Sequence, residues 1–171
     1  TSRVGSSAAS DGYKGQPLTG EVMMKLAELF AEEMPDLVIT PGHVNSAFAC
    51  AIAANKCGVR VAHLESGLRS NDRTMPEETN RILIDEITDM YFVTEQIGLD
   101  HLRAEGKVEE KIHFVGNTMI DTLVAFEEDI SKSDVLTRYE LEKGEFYLMT
   151  MHRPATVDHR EGLEFISNLI K

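Results

Sequence analysis

Positive charge is scarce in this chain. Seventeen lysines and arginines face 29 acidic residues, for a net charge of -12. No basic stripe breaks that balance, which argues against a nucleic-acid partner. An anionic ligand would need local help from arginines or helix N-termini. Cysteine is scarce too. Cys50 and Cys57 read as members of one helix, two turns and roughly 10 Å apart along its axis, out of disulfide reach. Flanked by alanine, they read as buried free thiols. No apolar run is long enough for a membrane span. Residues 1–17 lack the apolar core of a signal peptide and read as a flexible Ser- and Gly-rich leader. His101, His113 and His159 have no metal-like spacing to one another or to acids, so no metal is expected. No cofactor is expected either. Together these absences point to a cytoplasmic setting.

What remains is ordinary for a globular protein. A chain of 171 residues with a 42% hydrophobic share can form one full domain, or one domain and part of another. Thr19 reads as the N-cap of a first helix with Val22, Leu26, Leu29, Phe30 and Met34 on one face. Leu37–Thr40 is a short strand. Asn45 or Ser46 can cap an Ala-rich helix to Lys56, stopped by Gly58. Val59–Leu64 is a second strand. Pro76 opens a third helix carrying Ile82, Leu83 and Ile87 inward. Tyr91–Thr94 is a third strand, followed by a helix from Glu95 to Glu105. Ile112–Val115 is a fourth strand, and Asn117 caps the helix after it. Ser131–Gly144 reads as a linker or a short exposed helix. Phe146–Thr150 is a fifth strand, and a last helix runs from Asp158.

Strands alternating with helices predict an α/β fold with a parallel, Rossmann-like sheet. Ligands of such sheets bind beyond the strand carboxyl ends. Those ends carry Pro41-Gly42-His43, then Glu65, then Glu95, then Gly116-Asn117, then His152-Arg153. Four of these five ends bear a titratable side chain. Glu65 reads as a general acid or base, as an anchor for a sugar hydroxyl, or as a solvated loop carboxylate. Glu77 and Glu78 stand in a helix first turn, where the helix dipole alone accounts for them; their nearness to Glu65 points to function for one. His152-Arg153 pairs a proton donor with a fixed cation, which suits phosphate, and is equally a surface pair. Gly42 allows a tight turn that aims the next helix N-terminus at the cleft. His63 alternates with apolar neighbours and reads as a satisfied core histidine.

His63-Leu64-Glu65-Ser66-Gly67-Leu68-Arg69-Ser70 resembles the signature of the non-hydrolysing UDP-N-acetylglucosamine 2-epimerases. Pro76-Glu77-Glu78 with Asn80-Arg81 is similar to the family's helix start. Pro35-Asp36-Leu37-Val38 with Gly42 and Asn45-Ser46-Ala47, Phe92-Val93-Thr94-Glu95, Val115-Gly116-Asn117-Thr118 and His152-Arg153 follow in the family's order. The resemblance implies interconversion of UDP-N-acetylglucosamine and UDP-N-acetylmannosamine. The C2 proton leaves, UDP is expelled to give 2-acetamidoglucal, and UDP returns with the proton on the other face. Carried over by motif, Glu65 and Glu77 act at C2 and on the sugar, and His152 protonates or stabilises the leaving diphosphate. His43 is a catalytic candidate by position. Arg69, Arg81, Arg153 and Asn117 are implied to contact substrate. The implied partner is the UDP-sugar, with a homodimer in the full-length form.

Three features depart from the family pattern. Where the family turn reads His-Gly-Asp, this chain has Pro41-Gly42-His43, so an imidazole replaces a candidate catalytic carboxylate. The opening strand with its Gly-Thr-Arg-Pro-Glu turn is absent. So is the Gly-Ser-rich turn that holds UDP in the second domain. The resemblance thus predicts part of a two-domain glycosyltransferase-B-like fold. Residues 18–130 would be the second half of the N-terminal Rossmann-like domain, 131–144 a linker, and 145–171 the start of a truncated C-terminal domain. The expected function is a UDP-N-acetylglucosamine 2-epimerase present as a fragment, inactive alone. The alternative is a non-catalytic sugar-nucleotide-binding or interaction paralogue.

Overall fold

The structure is a computed structural model and describes residues 15–151 and 158–170. Two compact units divide the chain, with the boundary between Val124 and Ala125. The first unit carries a four-stranded parallel sheet in the order β1-β2-β3-β4. Its strands are β1 (Leu37–Pro41), β2 (Arg60–Leu64), β3 (Met90–Val93) and β4 (Ile112–Phe114). The helices are α1 (Gly15–Glu33), α2 (Asn45–Lys56), α3 (Pro76–Ile87), α4 (Gln96–Ala104) and α5 (Thr118–Ala125). The register sets Val38 against Val61, His63 against Tyr91 and Tyr91 against Ile112. A mixed α/β fold with a parallel sheet is therefore what this sequence forms.

The core follows from side-chain size. Ala47, Ala51, Ala53 and Ala54 of α2 are buried with Phe30, Val59, Val61 and Ile84. Alanines let α2 lie close to both α1 and the sheet, where bulkier residues would hold the layers apart. A second cluster joins Tyr91 and Val93 of β3 to Leu99 and Leu102 of α4.

Several expectations change. α1 begins at Gly15, ahead of the expected Thr19 cap and within the expected leader. Its inner face is Met23, Leu26, Ala27 and Phe30, whereas Leu29 and Met34 are exposed. Met34 adopts φ 45 and ends the helix just before Pro35. Val44 holds the N-cap position of α2, with no side-chain cap, so Asn45 and Ser46 are already helical. On α3 the buried apolar residue is Ile84, whereas Leu83 points out. Both cysteines are free and half-buried, and Cys57 lies just past the end of α2.

The second unit contains α6 (Glu127–Ser131), α7 (Val135–Arg138) and α8 (Arg160–Ile170). α7 falls within the stretch expected as a linker or short helix. No strand forms over Phe146–Thr150 among the described residues. A strand needs a neighbouring ladder to satisfy its backbone, and this apolar run is left open, with Tyr147 and Leu148 exposed.

Candidate functional site

The carboxyl ends of β1 and β2 meet the start of α3. After β1 the chain turns through Gly42, whose φ is +66. The Gly42 N–H donates to the Leu64 carbonyl at 3.0 Å, which carries the β1–β2 ladder one step further. A Cβ added at Gly42 would stand 3.7 Å from Glu65 Oε2. The β1 turn and the Glu65 carboxylate therefore face each other directly. Glu65 itself has φ 70, a left-handed conformation that a non-glycine residue rarely adopts. Its N–H donates to the Phe92 carbonyl at 3.1 Å, and that of Ser66 donates to the same oxygen at 3.3 Å. The strain turns Glu65 out of the strand direction, as backbone outliers at functional sites commonly do.

His43 stands on the Gly42 turn. Burial pushes its imidazole below the ordinary histidine value; the Arg81 charge adds to this, and Glu65 and Glu77 act against it. Two carboxylates and a guanidinium thus lie within electrostatic reach of the His43 imidazole. The neutral imidazole that results is a proton acceptor at neutral pH. Asn80 fixes the turn from α3: its Nδ2 donates to the His43 carbonyl at 3.0 Å and to Asn45 Oδ1 at 2.9 Å.

The Glu77–Glu78 pair divides into two roles. Glu78 is buried and accepts from the Ser70 N–H and hydroxyl at 2.9 Å and from the Asn71 N–H at 3.0 Å. Burial alone would raise its carboxyl. Those bonds and the Arg81 charge hold it below the usual range instead. Glu78 therefore pins the loop after the motif, whereas Glu77 is half-buried and its charge acts on His43. Arg81 pairs with Glu78 at 3.3 Å, and its buried Nε has no hydrogen-bond partner among the described residues. That orphaned donor, beside His43, is suited to an anion or a sugar oxygen.

Arg69 is differently placed. Its Nη1 donates to Asp85 Oδ2 and to the Leu68 carbonyl, both at 2.7 Å, and its Nε and Nη2 clasp Glu105 at 2.8 and 2.7 Å. A guanidinium so engaged holds the fold and has little left for a phosphate. Asn117 Oδ1 accepts from the Met119 N–H at 2.9 Å and caps α5. His152 and Arg153 lie outside the described residues.

Sequence reasoning missed Asp85. It is fully buried, lies 2.6 Å from His63 Nδ1, and accepts the Gly67 N–H at 3.1 Å. It ties the motif to α3, and Tyr91 ties β3 to the same helix by donating to the Asp85 carbonyl at 3.0 Å. The available signal was Glu78, Arg81 and Asp85 at helical spacing on a face that also carries Ile84. Gly67 was also underread. A Cβ there would come within 2.3 Å of the Gly98 carbonyl oxygen, and its φ is +80. Gly67→Ala should therefore cost about 2–4 kcal/mol, read as a fall in thermal midpoint; an unchanged midpoint would show that α4 can move aside. Among the described residues no cluster of His, Cys, Asp and Glu is arranged to hold a metal, and no helix is long and apolar enough to cross a membrane.

Residues 6–171 match the family model described as UDP-N-acetylglucosamine 2-epimerase. The chain belongs to the UDP-N-acetylglucosamine 2-epimerase family. A UDP-N-acetylglucosamine 2-epimerase from Methanococcus maripaludis is 36% identical over 89% of this chain and 42% of its own length. A UDP-2,3-diacetamido-2,3-dideoxy-D-glucuronate 2-epimerase from Pseudomonas aeruginosa is 36% identical over 86% of this chain and 41% of its own length. The crystal structure of the Methanocaldococcus jannaschii UDP-GlcNAc 2-epimerase with UDP-GlcNAc and UDP superposes with a TM-score of 0.79 at 34% identity. That match covers 91% of this chain and 43% of the archaeal one. This member of the epimerase family thus spans about two fifths of the length of such relatives, and its fold is that of the glycosyltransferase-B-like epimerases.

Proposed function

We propose that this chain is the part of a non-hydrolysing UDP-N-acetylglucosamine 2-epimerase that carries the C2 proton-transfer groups. What supports this most is that the charges of Arg81, Glu65 and Glu77 all act on His43, and that the Glu65 carboxylate faces the Gly42 turn that carries it. In this reading one carboxylate takes the C2 proton as the C1–O bond to UDP breaks, which leaves 2-acetamidoglucal. UDP then adds back at C1 while a proton reaches C2 on the opposite face. Glu65 and Glu77 serve the two faces. Arg81 steadies the substrate's oxygens. His152 and Arg153 would meet the diphosphate, a role that rests on the motif alone. Two such carboxylates acting by turns are what an epimerisation without net redox change requires.

His43 is where the alternative reading enters. A neutral imidazole in place of a carboxylate brings no fixed negative charge, which fits a non-catalytic sugar-nucleotide-binding paralogue. The test uses a longer protein that contains this chain and the remaining length of its relatives. Conversion of UDP-N-acetylglucosamine to UDP-N-acetylmannosamine supports the epimerase; binding without conversion, in the wild type and in His43→Asp alike, supports the paralogue. If the imidazole serves in place of an aspartate, His43→Asp should raise turnover, by roughly tenfold. The wild type should lose activity on acidification below pH 6.5, since His43 titrates below that ordinary value. UDP-2,3-diacetamido-2,3-dideoxy-D-glucuronate, assayed in parallel, tests the sugar. The 171-residue chain alone should turn over negligibly, because positioning carries much of the rate and the chain spans 42% of the relative's length.

A further inference from the structure

His63 is the penultimate residue of β2, with its ring completely buried. Its Nδ1 is 2.6 Å from Asp85 Oδ1, and its Nε2 is 2.9 Å from the Gly42 carbonyl oxygen. A carbonyl oxygen can only accept, and a carboxylate can only accept. A neutral imidazole has one N–H and would press its other lone pair against an acceptor. Protonating Asp85 instead would set a neutral acid against Arg69, whose Nη1 lies 2.7 Å from Oδ2. Arg69 is divided between the buried Asp85 and the exposed Glu105.

We propose that His63 is a buried imidazolium that acts as a positioning residue, pinning the Gly42–His43 turn through the Gly42 carbonyl. The catalytic part of this rests on the epimerase reading; the charge on His63 does not. The turn is gripped at two successive carbonyls, Gly42 by His63 and His43 by Asn80. His43 can then move only about its own side-chain bonds. A fixed positive charge at His63 opposes a second one at His43, in the same sense as Arg81 and against Glu65 and Glu77. The motif histidine would thus reach the cleft through one backbone oxygen and through its charge, without touching substrate.

The measurement is nitrogen-15 NMR of the histidine side chains in the 171-residue chain at pH 7.5. His63 should show both ring nitrogens in the protonated range, with slowly exchanging protons. One unprotonated ring nitrogen overturns the proposal, whatever the protein's activity. In His63→Gln, the His43 titration followed by the same method should move up, because the opposing charge is gone. A folded His63→Gln variant with an unmoved His43 titration overturns the coupling. If His63 is charged and coupled but the longer protein never turns over UDP-sugar, the epimerase reading fails and this inference stands.

Discussion

Glu65→Gln and Glu77→Gln should each lower epimerisation of UDP-N-acetylglucosamine by roughly 10²- to 10⁴-fold in a longer protein that contains this chain. An amide has the shape of the carboxylate but cannot take a proton at neutral pH. KM should change little, because neither carboxylate is proposed to carry ground-state binding. Glu78→Gln is the matched control on the same helix. Its carboxylate holds Ser70 and Asn71, so its loss should lower thermal stability while a folded variant still turns over. The two adjacent glutamates thereby separate chemistry from structure. If Glu78→Gln abolished turnover in a folded protein and Glu77→Gln did not, the division of roles between them would be reversed.

The second large effect falls on stability. Asp85→Ala should destabilise the chain by about 3–5 kcal/mol, a large part of the 5–15 kcal/mol typical of a whole domain. The substitution leaves His63 and Arg69 without their shared anion and removes the acceptor of the Gly67 N–H. Chemical denaturation of the 171-residue chain would measure it. The same carboxyl predicts how stability depends on pH. Burial alone would raise it, but the bond and charge of His63, with Arg69, hold it below the usual carboxylate range. The folded chain therefore takes up this proton less readily than the unfolded one. Its contribution is complete above the ordinary value of about 3.9 and is lost as pH falls through the lower folded value. Asp85→Asn should flatten that acid limb. A wild-type-like limb in Asp85→Asn would assign it to other acids, such as Glu78.

The sequence made the strand-end chemistry legible for simple reasons. Each strand of the first unit is a short apolar run, and the residue after it has a fixed relation to the sheet rim. Glu65 and His43 could be placed that way. Pro76 fixed the start of α3 and with it Glu77. What stayed hidden was side-chain detail within α3. Leu83 and Ile84 are adjacent apolar residues, and a helical pattern alone did not say which turns inward. Asp85 drew no reading at all, because its burial depends on His63 and Arg69 arriving from another element. Arg69 looked like a phosphate ligand for the same reason, since Glu105 lies 36 residues away in sequence. The apolar run at Phe146–Thr150 has strand composition, but composition cannot supply the partner that a strand requires.

Solvent hydrogen at C2 of the sugar tests the central claim most directly. Incubated with UDP-N-acetylglucosamine in heavy water, a longer protein containing this chain should place deuterium at C2 of both UDP-N-acetylglucosamine and UDP-N-acetylmannosamine. The proton taken by one face must exchange with solvent before the other face returns it. Epimerised product that keeps its original C2 hydrogen would contradict the two-carboxylate account. So would tight binding of the nucleotide sugar with no deuterium at C2 at any time.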